Sequence, residues 1–168
     1  LSEVPFDLMY GGTVFYPVHQ NVIWTLLLGL LGIRLMEAAR AKGKRWLYVL
    51  TCAAVVVLGF ALGTLGMVDY YGVGVLTVFA FYFFRERKWW CLLGQLAALY
   101  WLNVAVLGGQ MYPVTLFGRE IELCEQGLAL LALVPIWLYR GRQGHHSKAF
   151  QYACYAFYPA HMLVLALL

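Results

Sequence analysis

Long apolar runs alternate along this chain with short clusters of charge, glycine and proline. A helix of about 20 residues crosses a hydrocarbon core about 30 Å thick, and windows of that length place six such runs. They cover residues 21–39, 46–67, 70–84, 88–108, 120–139 and 147–168. The pattern predicts an all-α fold, a polytopic transmembrane helix bundle with about six spans. Residues 1–20 are predicted to form an outer-side loop or re-entrant segment.

Composition indicates an integral membrane protein rather than a soluble domain. Hydrophobic residues make up 63% of the 168 positions and charged residues only 12%, with a mean hydropathy of +0.73. Soluble domains use about twice that share of charge. Because apolar runs recur throughout, we predict a single transmembrane domain over residues 1–168. The first residue is Leu1 rather than methionine, so we expect an N-terminal portion to be missing.

The basic residues predict the orientation of the bundle. Ten of the twelve lysine and arginine residues lie in or beside the first, third and fifth loops between predicted spans. By the positive-inside rule, these loops face the cytoplasm. No nucleic-acid surface is expected, because the charges occupy short loops rather than one helix face. The ten residues are Arg40, Lys42, Lys44, Arg45, Arg85, Arg87, Lys88, Arg140, Arg142 and Lys148.

Two sets of residues are assigned to packing rather than to chemistry. Gly59, Gly63 and Gly66 repeat at spacings of four and three, which favours close approach of another helix. The cysteines are widely spaced and lie within or beside predicted spans, so we predict free thiols with no disulfide and no metal site. They are Cys52, Cys91, Cys124 and Cys154.

A polar stripe follows one face of the last predicted span. Gln151, Tyr155, Tyr158 and His161 have spacings of four, three and three, which align them on a helix. His161 lies about 20 Å from the inner surface at 1.5 Å per residue, just past the midplane. An ionisable group at that depth costs about 2.5–3.5 kcal/mol on insertion scales. We therefore expect His161 to face a polar cavity; the alternative is a neutral ring hydrogen-bonded to a neighbouring helix.

Further polar residues lie on the predicted outer side. His19 precedes the first span, Asn21 is suited to cap it, and Asp69 opens the third span. A carboxylate that orients an imidazole, which then removes a proton from an amine or hydroxyl, is a general-base arrangement. Two alternatives stay open: His19 as a solvated interfacial residue, and Asp69 as a helix cap.

Four stretches of the chain resemble, in this order, segments of the TraX family. They are "LSEVPFDL" at 1–8, "HQNVIWTLLLGLLGI" at 19–33, "DYYGVGVL" at 69–76 and "FYPAHMLVL" at 157–165. The family comprises bacterial multi-spanning membrane proteins named for the conjugation protein that acetylates the N-terminus of F-pilin. Its members look longer at the N-terminus, with earlier helices that include an Asp-His pair.

This resemblance implies a membrane-bound acyltransferase in the bacterial cytoplasmic (inner) membrane. Acetyl-CoA is the implied donor, and the acceptor is an amine or hydroxyl of unknown identity, with pilin or another envelope component as candidates. Membrane lipids are the other expected partners. Together with the stripe, the resemblance gives His161, His19, Asp69 and Asp7 as catalytic candidates. The substrate-binding candidates are Glu3, Gln20, Asn21, Tyr71, Gly72, Gly74, Tyr155 and Tyr158.

Two other classes of function remain as alternatives. An intramembrane histidine with nearby carboxylates also suits a small proton-coupled transporter. A membrane scaffold of a conjugation or pilus system would use the same helices without any chemistry, and would tolerate alanine at each polar position named above.

Overall fold

The computed structural model describes residues 2–116, 118–139, 141, 144 and 147–167, and most of these residues are helical. The helices are α1 Glu3–Gly11, α2 Val22–Ala41, α3 Arg45–Leu65, α4 Tyr71–Phe83, α5 Trp89–Leu99, α6 Leu133–Leu138 and α7 Lys148–Leu167. A π-helical segment, Tyr100–Leu107, continues α5, and a 3-10 segment, Glu125–Ala132, precedes α6. Between these two segments lie the strands β1 Met111–Leu116 and β2 Arg119–Cys124.

Helices α2, α3 and α4 form the packed centre of the molecule, where Met36, Val75 and Phe79 are almost fully buried. The helices approach closely because glycines face one another. A Cβ atom at Gly63 would lie 2.9 Å from the Cα atom of Gly72, and one at Gly59 would lie 2.7 Å from the Phe79 ring. The packing role predicted for these two glycines of α3 is confirmed.

Three helical stretches are long and apolar enough to cross a membrane, namely Val22–Ala41, Arg45–Leu65 and Trp89–Leu107. Helix α4 has only 13 residues, and α7, although 20 residues long, is not one of the three. The described residues therefore form a mostly helical protein with three candidate spans, and the predicted six-span bundle is not confirmed. Leu168, the last residue of the sixth predicted run, lies outside the described residues.

The prediction of one helix over residues 120–139 is wrong in its first part. Strands β1 and β2 form an antiparallel hairpin in which Met111 pairs with Cys124 and Leu116 pairs with Arg119. Polar and apolar residues alternate from Glu120 to Leu123, which is the period of a strand rather than of a helix. A 20-residue hydropathy window averages over that short alternation. At the other end of the chain, α1 forms a short helix where a loop or re-entrant segment is predicted.

The bundle has two chemically different ends. At the basic end, Glu37 near the end of α2 accepts a hydrogen bond from the Tyr82 hydroxyl at 2.8 Å and pairs with Arg85 at 3.2 Å. At the site end, the start of α2 meets the end of α3, where the backbone N–H of Gln20 donates to the carbonyl of Met67 at 2.8 Å.

The basic residues of the first and third loops share the basic end, as the sequence predicts. These residues are Arg40, Lys42, Lys44, Arg45, Arg85, Arg87 and Lys88. Arg140 and Arg142 of the fifth loop lie outside the described residues. Which side of a membrane the basic end faces stays a prediction.

Candidate functional site

The site end brings together the four stretches that carried the sequence resemblance. Helix α7 packs against α1, and residues 19–21 run beside residues 67–69, with a parallel bridge between Gln20 and Val68. Backbone hydrogen bonds such as that from Gln20 to Met67, together with the carboxylate of Glu3, hold these segments to one another. Residues that are far apart in the sequence therefore surround one small region.

The carboxylate of Glu3 joins α1 to the start of α2. It accepts hydrogen bonds from the Asn21 backbone N–H at 3.2 Å, from Asn21 Nδ2 at 2.5 Å and from Trp24 Nε1 at 3.1 Å. Asn21 is only 1% exposed, and its Oδ1 accepts from the Ile23 N–H at 2.9 Å, which caps α2. A charged acceptor strengthens such hydrogen bonds, and the positive end of the helix dipole favours an anion here. The hydrogen bonds of Glu3 and Asn21 thus form a clamp that holds α1 to the start of α2.

His19 and Asp69 form the central pair of the site. His19 Nε2 lies 3.4 Å from Asp69 Oδ1, and both side chains are about one-fifth exposed, at 20% and 21%. The pair is shielded but not sealed from solvent. The predicted neighbourhood of an imidazole and a carboxylate therefore exists between these two residues, which are fifty positions apart in the chain.

Aromatic rings enclose the imidazole of His19. The Phe6 ring stacks on it with centroids 5.5 Å apart, the Tyr10 ring is tilted at 5.3 Å, and the Tyr71 ring meets it edge-on at 6.1 Å. Such ring contacts fix the orientation of an imidazole as well as burying it. Phe6 and Tyr10 are neighbours of His19 that the sequence analysis does not single out. Their signal is the spacing of three and four residues that places Phe6 and Tyr10 on the same face of α1 as Glu3 and Asp7.

Asp69 sits in a backbone segment of unusual conformation. Met67, Tyr70 and Tyr71 have φ angles of 49°, 59° and 52°, a left-handed region that residues other than glycine rarely adopt. Backbone strain of this kind costs about 1–3 kcal/mol per residue and concentrates at functional sites. The segment is held to α2 by Thr25, whose hydroxyl donates to the Asp69 carbonyl at 2.7 Å.

Burial raises the pKa of the Asp69 carboxyl above its ordinary value of 3.8, and this outweighs the lowering by His19 and by the backbone N–H of Tyr70. The pKa of Tyr10 is also raised, first by burial and then by the negative charge of Asp69. Both shifts have the direction expected of a site with limited access to water.

Two polar groups are buried here without a hydrogen-bond partner among the described residues, namely Asp7 Oδ1 and the hydroxyl of Tyr158. Asp7 is 2% exposed and lies on α1 one turn beyond Glu3. Buried polar groups are nearly always paired, so these two unpaired atoms are exceptions that a role in the site would explain.

His161 is not part of this arrangement. Its Nδ1 lies 3.0 Å from the carbonyl oxygen of Phe157 on its own helix, and its ring stacks on Phe157 with centroids 5.1 Å apart. Among the described residues, its contact with the site is through Tyr158, whose ring meets it edge-on at 5.4 Å. Farther along the predicted stripe, Tyr155 is 66% exposed and accepts a hydrogen bond from Gln151 Nε2 at 2.7 Å. The stripe therefore reaches the site at Tyr158.

The remaining candidates occupy contacts between helices. A Cβ atom at Gly72 would lie 2.6 Å from the Phe60 ring, and one at Gly74 would lie 2.8 Å from both the Asp69 carbonyl and Thr25 Cγ2. Gln20 takes part through its backbone, while its side-chain Nε2 donates to the nearby Pro17 carbonyl at 3.3 Å. Within the described part of the chain, no group of three or more His, Cys, Asp or Glu side chains is placed to hold a metal ion.

Fold and site together define a helical membrane protein with a shielded histidine–carboxylate pair at one end of its bundle. The family model described as TraX protein matches residues 1–168, so this chain belongs to the TraX family. No curated protein and no solved structure matches it.

Proposed function

We propose that this protein is a membrane-bound acyltransferase that moves an acetyl group from acetyl-CoA to an amine or hydroxyl acceptor. The observation that carries the proposal is the 3.4 Å pairing of His19 with Asp69 inside an aromatic enclosure. An acyl transfer of this kind needs a base for the acceptor and no metal or redox group. Membership of the TraX family, which is linked to conjugation and pilus systems, makes pilin or another envelope component a candidate acceptor.

In the proposed mechanism His19 is the general base. Asp69 accepts a hydrogen bond from Nε2–H of His19, which leaves the Nδ1 lone pair to take a proton from the acceptor. The acceptor nitrogen or oxygen then bonds to the acetyl carbonyl carbon, and the carbon–sulfur bond of the thioester breaks. The departing thiolate receives the proton from the imidazolium, so free CoA thiol and acetylated acceptor are released.

The other site residues have supporting parts in this proposal. Glu3 and Asn21 position α1 over the start of α2, which keeps Phe6 and Tyr10 against the His19 ring. Asp7 and Tyr158 offer unpaired polar atoms to the bound acceptor. His161 acts through the ring of Tyr158 as a positioning residue rather than as the base.

We further propose that the basic end faces the cytoplasm of a bacterium and that the site end opens to the outer side of the inner membrane. The concentration of arginine and lysine at one end supports this orientation. The polyanionic part of acetyl-CoA would approach the basic end from the cytoplasm. In a variant whose single cysteine comes from Lys42→Cys, labelling by a membrane-impermeant thiol reagent from outside intact cells would contradict this orientation.

A proton-coupled transporter is the second candidate, because a buried carboxylate such as Asp7 and a histidine–aspartate pair also suit a proton relay. Proton uptake by liposomes that contain the protein and no acyl donor would favour this alternative. Acyl transfer without proton uptake would exclude it.

The decisive experiment measures acetyl-CoA consumption by the purified protein in lipid nanodiscs with an amine acceptor. His19→Gln is expected to lower kcat by about 10²–10⁴-fold, the usual contribution of a general base, with a smaller change in KM. His161→Gln is the matched control and is expected to retain most of the activity. Full activity in the His19 variant would remove the base role, and loss confined to the His161 variant would transfer that role to α7.

A further inference from the structure

A separate cavity adjoins the site on the side of the basic end. It has a volume of about 310 Å³ and lies between α2, α4, the π-helical segment and the 3-10 segment. We call it the Asn103 groove; its walls include Thr25, Thr77, Asn103 and Gln126 among mostly apolar side chains. A volume near 300 Å³, apolar walls and a few placed polar groups are the features of a small-molecule site.

The polar groups of the Asn103 groove have unused hydrogen-bonding capacity. Asn103 is 8% exposed, and its Nδ2 donates to the Leu99 carbonyl at 3.0 Å, while its Oδ1 has no partner within the described ranges. The Thr77 hydroxyl donates to the Val73 carbonyl at 3.0 Å, so it too can still accept. Asn103 lies in a π-helical stretch, a conformation that is rare and frequently found at functional sites.

The groove lies beside the His19–Asp69 site. Val22 and Tyr70 belong to its wall, and these residues directly follow Asn21 and Asp69. From there the groove runs toward the basic end along the next turn of α2 and of α4, past Leu26 and Val78. A ligand that reached His19 from the basic end would therefore lie in this groove.

We propose that the Asn103 groove binds the uncharged, amide-bearing arm of the acyl-thioester donor, with the thioester at the His19–Asp69 pair. The N–H of a ligand amide can donate a hydrogen bond to Asn103 Oδ1, and its carbonyl can accept one from the side-chain amide of Gln126. The groove has no charged residue in its described wall, so an ammonium-bearing acceptor would find no counter-charge there. A lipid chain would leave Asn103 Oδ1 and the Gln126 carboxamide without hydrogen-bond partners in an apolar environment. This inference rests on the proposed function.

The test uses S-ethylpantetheine, an unreactive thioether with the same amide-bearing arm, and the purified full chain in nanodiscs. Equilibrium dialysis measures its affinity for the wild type, for Asn103→Leu and for Ala129→Phe, which fills the groove from the 3-10 segment. Both variants are expected to bind about tenfold more weakly, the loss typical of one or two hydrogen bonds or of excluded volume. Ala132→Phe lies on the same segment outside the groove wall and should bind like the wild type.

Each outcome decides between this inference and the proposed function. Unchanged affinity in Ala129→Phe, or no binding to the wild type, overturns the groove assignment. An amide-free thioether of equal length that binds as well as the probe assigns the groove to lipid chains instead. Binding that depends on the groove without any acetyl transfer keeps the ligand site and removes the acyltransferase. Acetyl transfer that is unchanged in Ala129→Phe keeps the acyltransferase and removes the ligand site in the groove.

Discussion

Gly72→Ala is expected to destabilise the protein by separating α3 from α4. Sequence reasoning placed Gly72 among the substrate-binding candidates, whereas the structure places it where α4 crosses α3. The added Cβ atom would clash with the Phe60 carbonyl oxygen, lie 2.6 Å from the Phe60 ring and lie 2.7 Å from the Thr64 hydroxyl. Thr64 also donates to the Phe60 carbonyl at 2.8 Å, so its hydroxyl is not free to move away.

The loss of stability in Gly72→Ala depends on which atoms must move to make room for the new Cβ atom. A clash with a flexible side-chain tip is cheap, but here a helix carbonyl is involved, so α4 itself must shift. Overpacking of this kind costs about 1–3 kcal/mol. The control is Gly127→Ala, where the nearest atoms to a new Cβ lie at ordinary distances of 3.7 and 3.8 Å. That variant is expected to be neutral or slightly stabilised, because alanine restricts the unfolded chain.

Reversible unfolding in mixed detergent micelles, followed by circular dichroism, measures both variants. The packing account requires a lower free energy of unfolding for Gly72→Ala and no loss for Gly127→Ala. Equal stability of the two variants would refute the close crossing of α3 and α4. Wild-type stability combined with lost ligand binding in Gly72→Ala would restore the substrate-binding role.

Two further predictions concern the site end. Glu3→Gln is expected to lose about 1–3 kcal/mol of stability, because both carboxylate oxygens accept hydrogen bonds from Asn21 or Trp24 and an amide leaves at least one of these donors unpaired. Unfolding in the same micelles measures the loss, and an unchanged free energy of unfolding would contradict the joining of α1 to α2 by Glu3. For Asp69 the folded-state pKa lies above the unfolded value of 3.8, so the proton on this carboxyl stabilises the fold fully below that value, and the contribution disappears as pH rises through the folded pKa. Asp69→Asn removes this titration, so its stability relative to the wild type should rise from acid toward neutral pH; a difference that stays constant with pH would show that Asp69 is not buried as described.

Much of the fold follows from local pattern. The helices predicted over residues 21–39 and 46–67 correspond to α2 and α3 within two residues at each end, because uninterrupted apolar runs leave helix as the way to satisfy the backbone. The strand β2 was missed because its alternation spans only a few residues inside a longer apolar window. The predicted six spans are not confirmed, because α4 has only 13 residues and α7 is not among the three candidate spans of the described residues.

Part of the candidate site can also be predicted from the sequence. The motifs around His19 and Asp69 were identified, and the structure brings these two side chains together. The sequence favours His161 as a catalytic candidate above the others, because an ionisable group deep in a membrane is costly. In the structure, the helix of His161 offsets this cost itself, because the Phe157 carbonyl lies beside Nδ1 and the Phe157 ring stacks on the imidazole. Asn103 went unnoticed, since a lone asparagine in an apolar run carries no periodic signal.

The sequence by itself determined the membrane character, the main helices and the end of the bundle where positive charge collects. These properties depend on neighbouring residues, whose hydropathy and spacing act locally. The tertiary structure decided which polar groups meet, namely Glu3 with Asn21 and His19 with Asp69. These pairs are 18 and 50 positions apart in the chain, and they form only when separate segments pack together, which no short stretch of chain encodes.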